Sequence, residues 1–122
     1  MHTNAQPLPI LYFDGACPVC SREIEMYRRQ PGAEAVQWVD ASTCSVAELG
    51  PGLMRGAALG RMHLRMPDGQ LVSGAVAFTE LWKALPRWTK LGRVLSVAPV
   101  LWALELGYRL FLTLRPLWRP AP

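Results

Sequence analysis

The sequence predicts a single α/β domain built around a four-stranded mixed sheet with helices on both faces. The chain has 122 residues, of which 51% are hydrophobic and 18% charged, which suits one folded domain and excludes a disordered tail. It contains three cysteines, an odd number that is too small for a secreted disulfide scaffold. The order of its apolar patterns is strand, helix, strand, an ambiguous helical region, hairpin and helix, and this order predicts the fold class.

The first part of the chain predicts a βαβ unit. Residues 10–13 are fully apolar, which is typical of a buried parallel strand. Residues 14–16 break the strand, and Pro18 then stands where a first helical position is expected. The helix is predicted to continue to about Gln30, before a second strand over residues 36–39.

The middle of the chain predicts a ββα unit. Residues 41–60 are ambiguous, with a short helix expected within residues 53–59. Residues 62–72 read as a hairpin, because alternating residues flank the turn sequence Pro-Asp-Gly. A helix over residues 75–85 follows, and its core-facing positions are predicted to be Val76, Leu81, Trp82 and Leu85. A βαβ unit followed by a ββα unit is the thioredoxin-like arrangement.

Charge divides the chain unevenly. Residues 1–82 carry six basic and eight acidic side chains, whereas residues 83–122 carry seven basic and one acidic. Three of the five tryptophans lie in the basic part: Trp88, Trp102 and Trp118. We therefore expect a flexible tail over residues 1–8, a core over residues 9–86, and a basic, Trp-rich helical extension over residues 87–122 packed on the core.

This basic extension suits an anionic membrane surface or an acidic partner, and equally a soluble face with tryptophans packed beneath it. Nucleic acid is not an expected partner, because the charges are spaced out and no nucleic-acid motif is present. The last helix begins near Pro99. Its polar residues share one narrow stripe with a tryptophan: Glu105, Arg109, Thr113 and Trp102. We expect this helix to be buried on most sides by the domain, by a second copy, or by lipid.

Cellular location is predicted from the absence of targeting patterns. No secretory signal is visible at the start of the chain. The most apolar stretch, residues 94–114, is interrupted by charges and barely reaches the ~20 residues that a membrane span needs. A reducing cytoplasm is the expected compartment, with membrane association left open. In that compartment a cysteine pair is more often catalytic or metal-binding than structural.

The chemistry is concentrated in Asp14-Gly15-Ala16-Cys17-Pro18-Val19-Cys20, which follows a strand and opens a helix. At a helix start, the free N–H groups and the helix dipole favour the thiolate of Cys17. Cys20, one turn later, is close enough to form a disulfide with it and is expected to be the more shielded thiol. These positions predict that Cys17 attacks a substrate disulfide and that Cys20 resolves the mixed disulfide, without a bound cofactor or metal.

The sequence Tyr12-Phe13-Asp14-Gly15-x-Cys17-Pro18-x-Cys20 resembles the motif of the DCC family of predicted thiol-disulfide oxidoreductases. Softer matches follow along the chain: Val39-Asp40, Arg61-Met62-His63, Asp68-Gly69, Gly74-x-x-Ala77-Phe78 and Tyr108-Arg109. The resemblance implies a thioredoxin-like fold and an exchange reaction between thiols and disulfides.

Four further residues are candidates for supporting the cysteine pair. Asp14 either moves a proton to Cys20, holds the loop by hydrogen bonds, or caps the helix. Gly15 is expected to supply a backbone conformation that other residues cannot reach cheaply, and Pro18 to fix the helix start. Thioredoxins place a cis-proline before the hairpin, but this chain has Arg61 there. Arg61 either approaches the thiolate, binds an anionic substrate group, or is a solvated hairpin residue.

The third thiol, Cys44, has three interpretations. It is an ordinary thiol, a regulatory partner of the cysteine pair, or, with Cys17, Cys20 and His63, part of a zinc site, since two cysteines, a third and a histidine are a suitable ligand set. The strand–CPVC–helix context favours redox chemistry, and a structural histidine is the preferred interpretation of His63.

Two classes of function follow from these patterns. The first is a thiol-disulfide oxidoreductase acting on a protein or small-molecule thiol or disulfide, with a variant that uses glutathione and Cys17 alone. The second is a non-catalytic module in which the cysteines sense redox state or hold zinc, while the C-terminal helices dock on a membrane or partner.

Overall fold

The computed structural model describes residues 7–117. Residues 1–6 and 118–122 lie outside the described part, and with them most of the predicted tail, Trp118 and Arg119. Four strands form one mixed sheet in the order β2-β1-β3-β4. They are β1 (Ile10–Phe13), β2 (Gln37–Asp40), β3 (His63–Arg65) and β4 (Leu71–Ser73). β1 pairs with β2 in parallel and with β3 antiparallel, which confirms the predicted α/β fold class.

Six α-helices cover this sheet within the described residues. They are α1 (Pro18–Arg28), α2 (Val46–Leu49), α3 (Arg55–Gly60), α4 (Ala75–Ala84), α5 (Thr89–Leu95) and α6 (Ala98–Leu114). Short 3₁₀ turns lie at Ala33–Ala35, Pro86–Trp88 and Arg115–Leu117. The βαβ and ββα units therefore follow each other as the sequence predicted, and α5 and α6 come after them.

The central strand β1 supplies side chains to both faces of the sheet. Leu11 points to one face, where it packs among residues of α1 and α4. Tyr12 points to the other, where it packs against β2, α2 and α3. Both side chains are fully buried, as expected for an apolar strand with helices on each side. The loop at the carboxyl end of β1 is thus held by a rigid centre, and this loop carries the cysteine motif.

The ambiguous region holds one helix more than predicted. α3 overlaps the short helix expected within residues 53–59, whereas α2 was missed. α2 is closed by a capping box, in which the Ser45 Oγ accepts the Glu48 N–H and the Glu48 carboxylate accepts the Ser45 N–H. This pattern stabilises a helix of only four residues, which is too short to show a hydrophobic period.

α4 follows the prediction in its bounds but not in every core position. Leu81 and Leu85 are fully buried and Trp82 is half-buried, as expected. Val76 is exposed, so its placement in the core is wrong. Its neighbours Ala75 and Ala77 are buried instead, because small side chains let the helix lie closer to the sheet than a valine would.

α6 lies across the domain, but the domain does not bury it. None of its side chains is buried, and its inward-facing positions include the charged Glu105. Tyr108 anchors this side, because its hydroxyl accepts the Met62 N–H at 2.6 Å and its ring meets Phe78 edge-on at 5.2 Å. The expected pair of Glu105 and Arg109 is present at 2.8 Å. The sequence analysis gave three alternatives for what buries α6 on most sides. The alternative in which the rest of the domain does so is therefore wrong.

Candidate active site around Cys17 and Cys20

The cysteine pair lies at the first turn of α1. Cys17 has an extended backbone (φ −87°, ψ 117°) and caps the helix, and its Sγ accepts the backbone N–H of Cys20 at 3.4 Å. Pro18 is the first helical residue, where a missing N–H costs no hydrogen bond. Free N–H groups and the positive end of the helix dipole stabilise a sulfur anion at such a position. A cysteine placed in this way can act as a nucleophile.

The two thiols differ in exposure, in the order opposite to the prediction. Cys17 is fully buried, whereas Cys20 is partly exposed, and neither is in a disulfide. The expectation that Cys20 is the more shielded thiol is therefore wrong. The reason is the cap itself, because the Cys17 Sγ turns back towards the first helical turn to receive the Cys20 N–H. Cys20 instead lines a cavity.

Cys20 is held strongly in its protonated form. Burial is the largest cause, and together with the hydrogen bond to Cys17 and the negative charge of that residue it raises the pKa of Cys20 to about 12. A hydrogen bond from Arg115 acts in the opposite direction without cancelling the effect. At neutral pH the Cys20 thiol is therefore protonated. Any reaction of Cys20 therefore requires a proton acceptor.

Arg115 belongs to the site, although sequence analysis did not single it out. It begins the 3₁₀ turn after α6, and its largely buried side chain reaches back to the motif loop. Its Nη2 donates to the Leu59 carbonyl at 2.7 Å, and its Nη1 lies 3.8 Å from the Asp14 carboxylate. No local sequence pattern predicts these contacts of Arg115, because they depend on how α6 docks on the domain.

Asp14 orders the loop that presents the cysteines. Its side chain is almost fully buried, and its Oδ1 accepts the Ala16 N–H at 3.0 Å. The helix cap is supplied by Cys17, so Asp14 does not fill that predicted role. Its carboxylate also lies 3.8 Å from the Arg115 Nη1. Of the predicted alternatives, this geometry matches the one in which Asp14 holds the loop by hydrogen bonds.

Gly15 is required for space and not for backbone conformation. Its N–H donates to the Asp40 Oδ1 at 2.9 Å, and a Cβ at this position would overlap the Asp40 carboxylate. Its φ is not positive, so the predicted conformational reason is wrong. Burial alone would raise the pKa of Asp40, but hydrogen bonds from Ser42, Gly15 and Thr43 outweigh burial and lower it. The Asp40 carboxylate is thus a fixed charged support for the motif loop.

A cavity of about 400 Å³ lies beneath α6, with Cys20 in its wall. Its lining is dominated by large apolar and aromatic side chains from β1, α1, α4 and α6: Phe13, Ile24, Phe78, Trp82, Tyr108 and Phe111. This volume lies within the ~300–1,000 Å³ of typical small-molecule sites. An apolar compound, or one apolar side chain of a protein substrate, has room to approach Cys20 here.

Arg61 lines the same cavity, and its guanidinium is bound by Glu105. Its Nη2 donates to both oxygens of Glu105 at 2.7 and 2.8 Å, and its guanidinium lies 5.6 Å from the centre of the Tyr108 ring. Arg61 is therefore not a solvated hairpin residue, which was one of the interpretations from the sequence. The guanidinium that contacts the cysteines is that of Arg115. The Arg61 Nε is buried and has no hydrogen-bond partner among residues 7–117.

Glu23 is a second residue that sequence analysis missed. It lies one turn after Cys20 on α1 and lines the same cavity. Burial raises the pKa of Glu23, and a hydrogen bond from the Tyr27 hydroxyl at 3.1 Å opposes this only in part. The Trp82 Nε1 in turn donates to the Tyr27 oxygen at 3.0 Å. In the sequence, Glu23 is one of several charged residues of α1. Only the docking of α4 and α6 places Glu23, and not the others, in the wall of the cavity.

The predicted zinc ligands do not assemble. Cys44 packs against the opposite face of the sheet, where Arg55 donates to its carbonyl at 2.7 Å. The His63 Nδ1 contacts the Arg61 carbonyl at 2.8 Å, which matches a structural histidine. Burial, the larger cause, and the charge of Arg61 lower the pKa of His63 despite this hydrogen bond. Within residues 7–117, no group of three or more metal-binding side chains lies together.

Comparison with known proteins gives two matches of different weight. The chain is 29% identical over 116 residues to an uncharacterized chloroplastic protein of Arabidopsis thaliana. That alignment covers 87% of this chain and 53% of the relative, so the chain spans about half the length of the curated relative that it matches. No solved structure matches. The family of DCC1-like thiol-disulfide oxidoreductases matches residues 11–120, which is nearly the whole chain. The matched range includes the cysteine pair, the residues that line the cavity, and Arg115. This chain belongs to the DCC1-like thiol-disulfide oxidoreductase family.

Proposed function

We propose that this chain catalyses thiol–disulfide exchange, with Cys17 as the attacking thiol and Cys20 as the resolving thiol. The observation that carries the proposal is the position of the Cys17 Sγ at the start of α1, where it accepts the Cys20 N–H. The high pKa of Cys20 supports the division of roles, because a thiol that stays protonated is a poor attacking group and suits the later, resolving step.

The reaction has two exchange steps. The Cys17 thiolate attacks one sulfur of a substrate disulfide, which forms a mixed disulfide and releases the other half of the substrate as a thiolate. Cys20 then loses its proton and attacks the Cys17 Sγ. The Cys17–Cys20 disulfide forms, and the second half of the substrate leaves as a thiolate that takes up a proton. Two electrons pass from the cysteine pair to the substrate disulfide, and the same steps in reverse oxidise a substrate dithiol.

Glu23 is the group that we propose accepts the proton from Cys20. Residues three apart on a helix have Cβ atoms about 5–6 Å from each other, and both side chains border the same cavity. A buried carboxylate with a raised pKa is a better proton acceptor than an ordinary glutamate. Tyr27 and Trp82 hold this carboxylate through their hydrogen bonds. Asp14, the sequence-based candidate for this role, is engaged by the motif loop instead.

The substrate that we propose has an apolar group next to its sulfur. Cys17 is buried, and the cavity reaches the pair at Cys20, so a substrate approaches along the apolar wall beneath α6. The unpartnered Arg61 Nε offers a donor to a polar group at the same cavity, as the sequence analysis suggested for an anionic substrate. Both a small thiol compound and an apolar residue beside a protein cysteine meet these conditions. The cytoplasm, as a reducing compartment, remains the proposed location.

Single-cysteine variants test the roles. All variants carry Cys44→Ser, so that only the motif cysteines react. With a disulfide substrate probe, Cys20→Ser is expected to accumulate a stable mixed disulfide at Cys17, because nothing resolves it. Cys17→Ser is the matched control and is expected to trap less, because burial, the largest cause of the raised pKa of Cys20, persists without Cys17 and disfavours the thiolate. The products are measured by non-reducing electrophoresis and intact-protein mass. Trapping by Cys17→Ser alone would reverse the roles, and trapping by neither variant would refute the exchange function.

A further inference from the structure

The outer side of α6 is apolar, although it faces away from the domain. Its inward positions include Glu105 and Tyr108, which contact the core, as does Arg115 directly after the helix. Its outward positions include Trp102, Leu106 and Leu110, whose exposed fractions are 75%, 67% and 61%. A surface helix of a soluble domain normally has a polar outer side, whereas α6 is apolar on its outer side as well as towards the cavity. This helix therefore presents to its surroundings the side that solvent disfavours.

Exposed apolar residues are also present in α5 and at its junction with α6. The large exposed apolar residues of the two helices and their junction are Leu91, Val94, Val97, Val100, Trp102, Leu106, Leu110 and Leu114. Such a concentration of large apolar side chains marks an interaction site more often than an ordinary surface. We call these eight residues the apolar face.

Basic residues border the apolar face. The exposed charged side chains between residues 83 and 117 are all basic: Arg87, Lys90, Arg93 and Arg109. The one acidic residue in that segment, Glu105, is already paired with Arg61 and Arg109. The face is thus complementary to a negatively charged apolar surface. Two copies joined symmetrically through it would place like charges against each other, which disfavours a dimer.

The geometry of the two helices suits contact along a surface and not a crossing. α6 has 17 residues and is therefore about 25 Å long, shorter than the ~30 Å hydrocarbon core of a bilayer. Within residues 7–117 no single helix meets the length and apolarity of a span. The stretches Pro86–Leu95 and Ala98–Leu117 meet them only when taken together, and they are bent by 103° against each other, which is not the shape of a straight crossing. The inward side of α6 is occupied by the domain. Trp102, at the outward side, is a residue type that prefers the boundary between lipid and water.

We propose that the apolar face binds the surface of an anionic lipid bilayer, with α5 and α6 lying in the interface and the basic residues contacting lipid headgroups. This inference does not depend on the proposed exchange reaction. It predicts that the protein is a peripheral membrane protein whose cavity and cysteine pair lie directly beneath the helix that touches lipid.

Vesicle sedimentation with the full chain tests this proposal. Binding is measured to vesicles of phosphatidylcholine alone and of phosphatidylcholine mixed with phosphatidylglycerol. We expect preferential binding to the anionic vesicles, weakened by high salt. The variant Leu106→Gln/Leu110→Gln should bind about 100-fold more weakly, since each buried leucine contributes about tenfold in affinity. The matched control Val46→Gln/Met54→Gln changes two side chains that are 77% and 78% exposed on α2 and beside α3, and it should bind as the wild type does.

A second variant keeps the test independent of the leucines. Lys90→Glu/Arg93→Glu should lower binding to anionic vesicles by about fivefold or more for each residue, and leave the weak binding to phosphatidylcholine unchanged. Circular dichroism and sedimentation velocity are recorded for every variant. The proposal is overturned if the wild type binds neither vesicle, or if the leucine variant binds as well as the wild type. It is also overturned if the wild type is a stable dimer that the leucine variant dissociates and that does not bind vesicles.

Discussion

Replacing Gly15 by alanine is expected to destabilise the protein through a single contact. The new methyl group would overlap the Asp40 carboxylate, so one of the two must move. The carboxylate is not free to move, because its Oδ1 accepts the Gly15 N–H at 2.9 Å, the Ser42 N–H at 2.9 Å and the Ser42 hydroxyl at 2.6 Å. The substitution therefore sets van der Waals overlap against a network of charge-assisted hydrogen bonds.

Either response has a similar cost. If the loop absorbs the methyl group, the overpacking costs about 1–3 kcal/mol. If the Asp40 carboxylate swings away, at least one hydrogen bond to a charged group is lost, at about 1.5–3 kcal/mol. We therefore expect Gly15→Ala to lower the free energy of unfolding by about 2 kcal/mol. For a chain of this size, that corresponds to a decrease in Tm of about 8 °C.

Urea and thermal unfolding under reducing conditions measure this effect. Gly56→Ala is the matched control, because Gly56 lies in α3 and a Cβ there meets nothing within 4 Å. In a helix that change should stabilise the protein by up to about 1 kcal/mol. The double variant Gly15→Ala/Asp40→Ala should be more stable than the sum of its single variants predicts, because the overlap is removed. The reasoning is refuted if Gly15→Ala unfolds at the wild-type midpoint, or if the double variant is simply additive.

Two further predictions concern Glu23, which lines the cavity, and Glu105, which binds the cavity residue Arg61. Glu23→Gln should slow the attack of Cys20 on the mixed disulfide and remove a pH inflection above the ordinary glutamate range, because Glu23 accepts a proton only when ionised. Stopped-flow measurements check this, with mixed-disulfide formation in a Cys20→Ser background expected to be unchanged by Glu23→Gln. Glu105→Gln should destabilise the protein by about 1–2 kcal/mol at neutral pH, since it weakens the contacts to Arg61 and Arg109. Burial raises the pKa of Glu105, but its hydrogen bonds outweigh burial and lower the pKa below 4.5 overall. The stabilisation is therefore lost as the pH falls through that lower range. The wild type and Glu105→Gln should have the same free energy of unfolding there, as measured by urea unfolding across pH.

Local patterns were sufficient to predict the part of the site that is close in sequence. The apolar run of β1, the break after it and Pro18 placed the cysteine pair at a helix start, and the structure has this arrangement. Hairpin alternation and the Pro-Asp-Gly turn placed β3 and β4 in the same way. These signals work because turn chemistry and side-chain alternation act over a few residues.

The remainder of the site depends on how distant elements dock. Arg115 becomes a neighbour of Cys20, and Glu23 becomes part of a cavity wall, only after α6 and α4 have packed, and a single sequence has no pattern for that packing. The exposure of Cys17 was predicted wrongly for a related reason. The prediction used the position of each cysteine along the helix, whereas the side chain of a capping residue turns back towards the helix end.

The orientation of α6 about its axis decides both which of its residues contact the domain and which remain exposed. Because the sequence of α6 is apolar nearly all round, hydrophobic periodicity cannot decide which side faces the domain. That decision is made by specific polar partners, since Glu105 meets Arg61 and the Tyr108 hydroxyl meets the Met62 N–H. These contacts fix the helix with its charged residue inward and leave Leu106 and its neighbours outward. A substitution that weakens the Arg61–Glu105 pair should therefore release α6 to rotate and bury its outer leucines. It would close the cavity at Cys20 and weaken vesicle binding together.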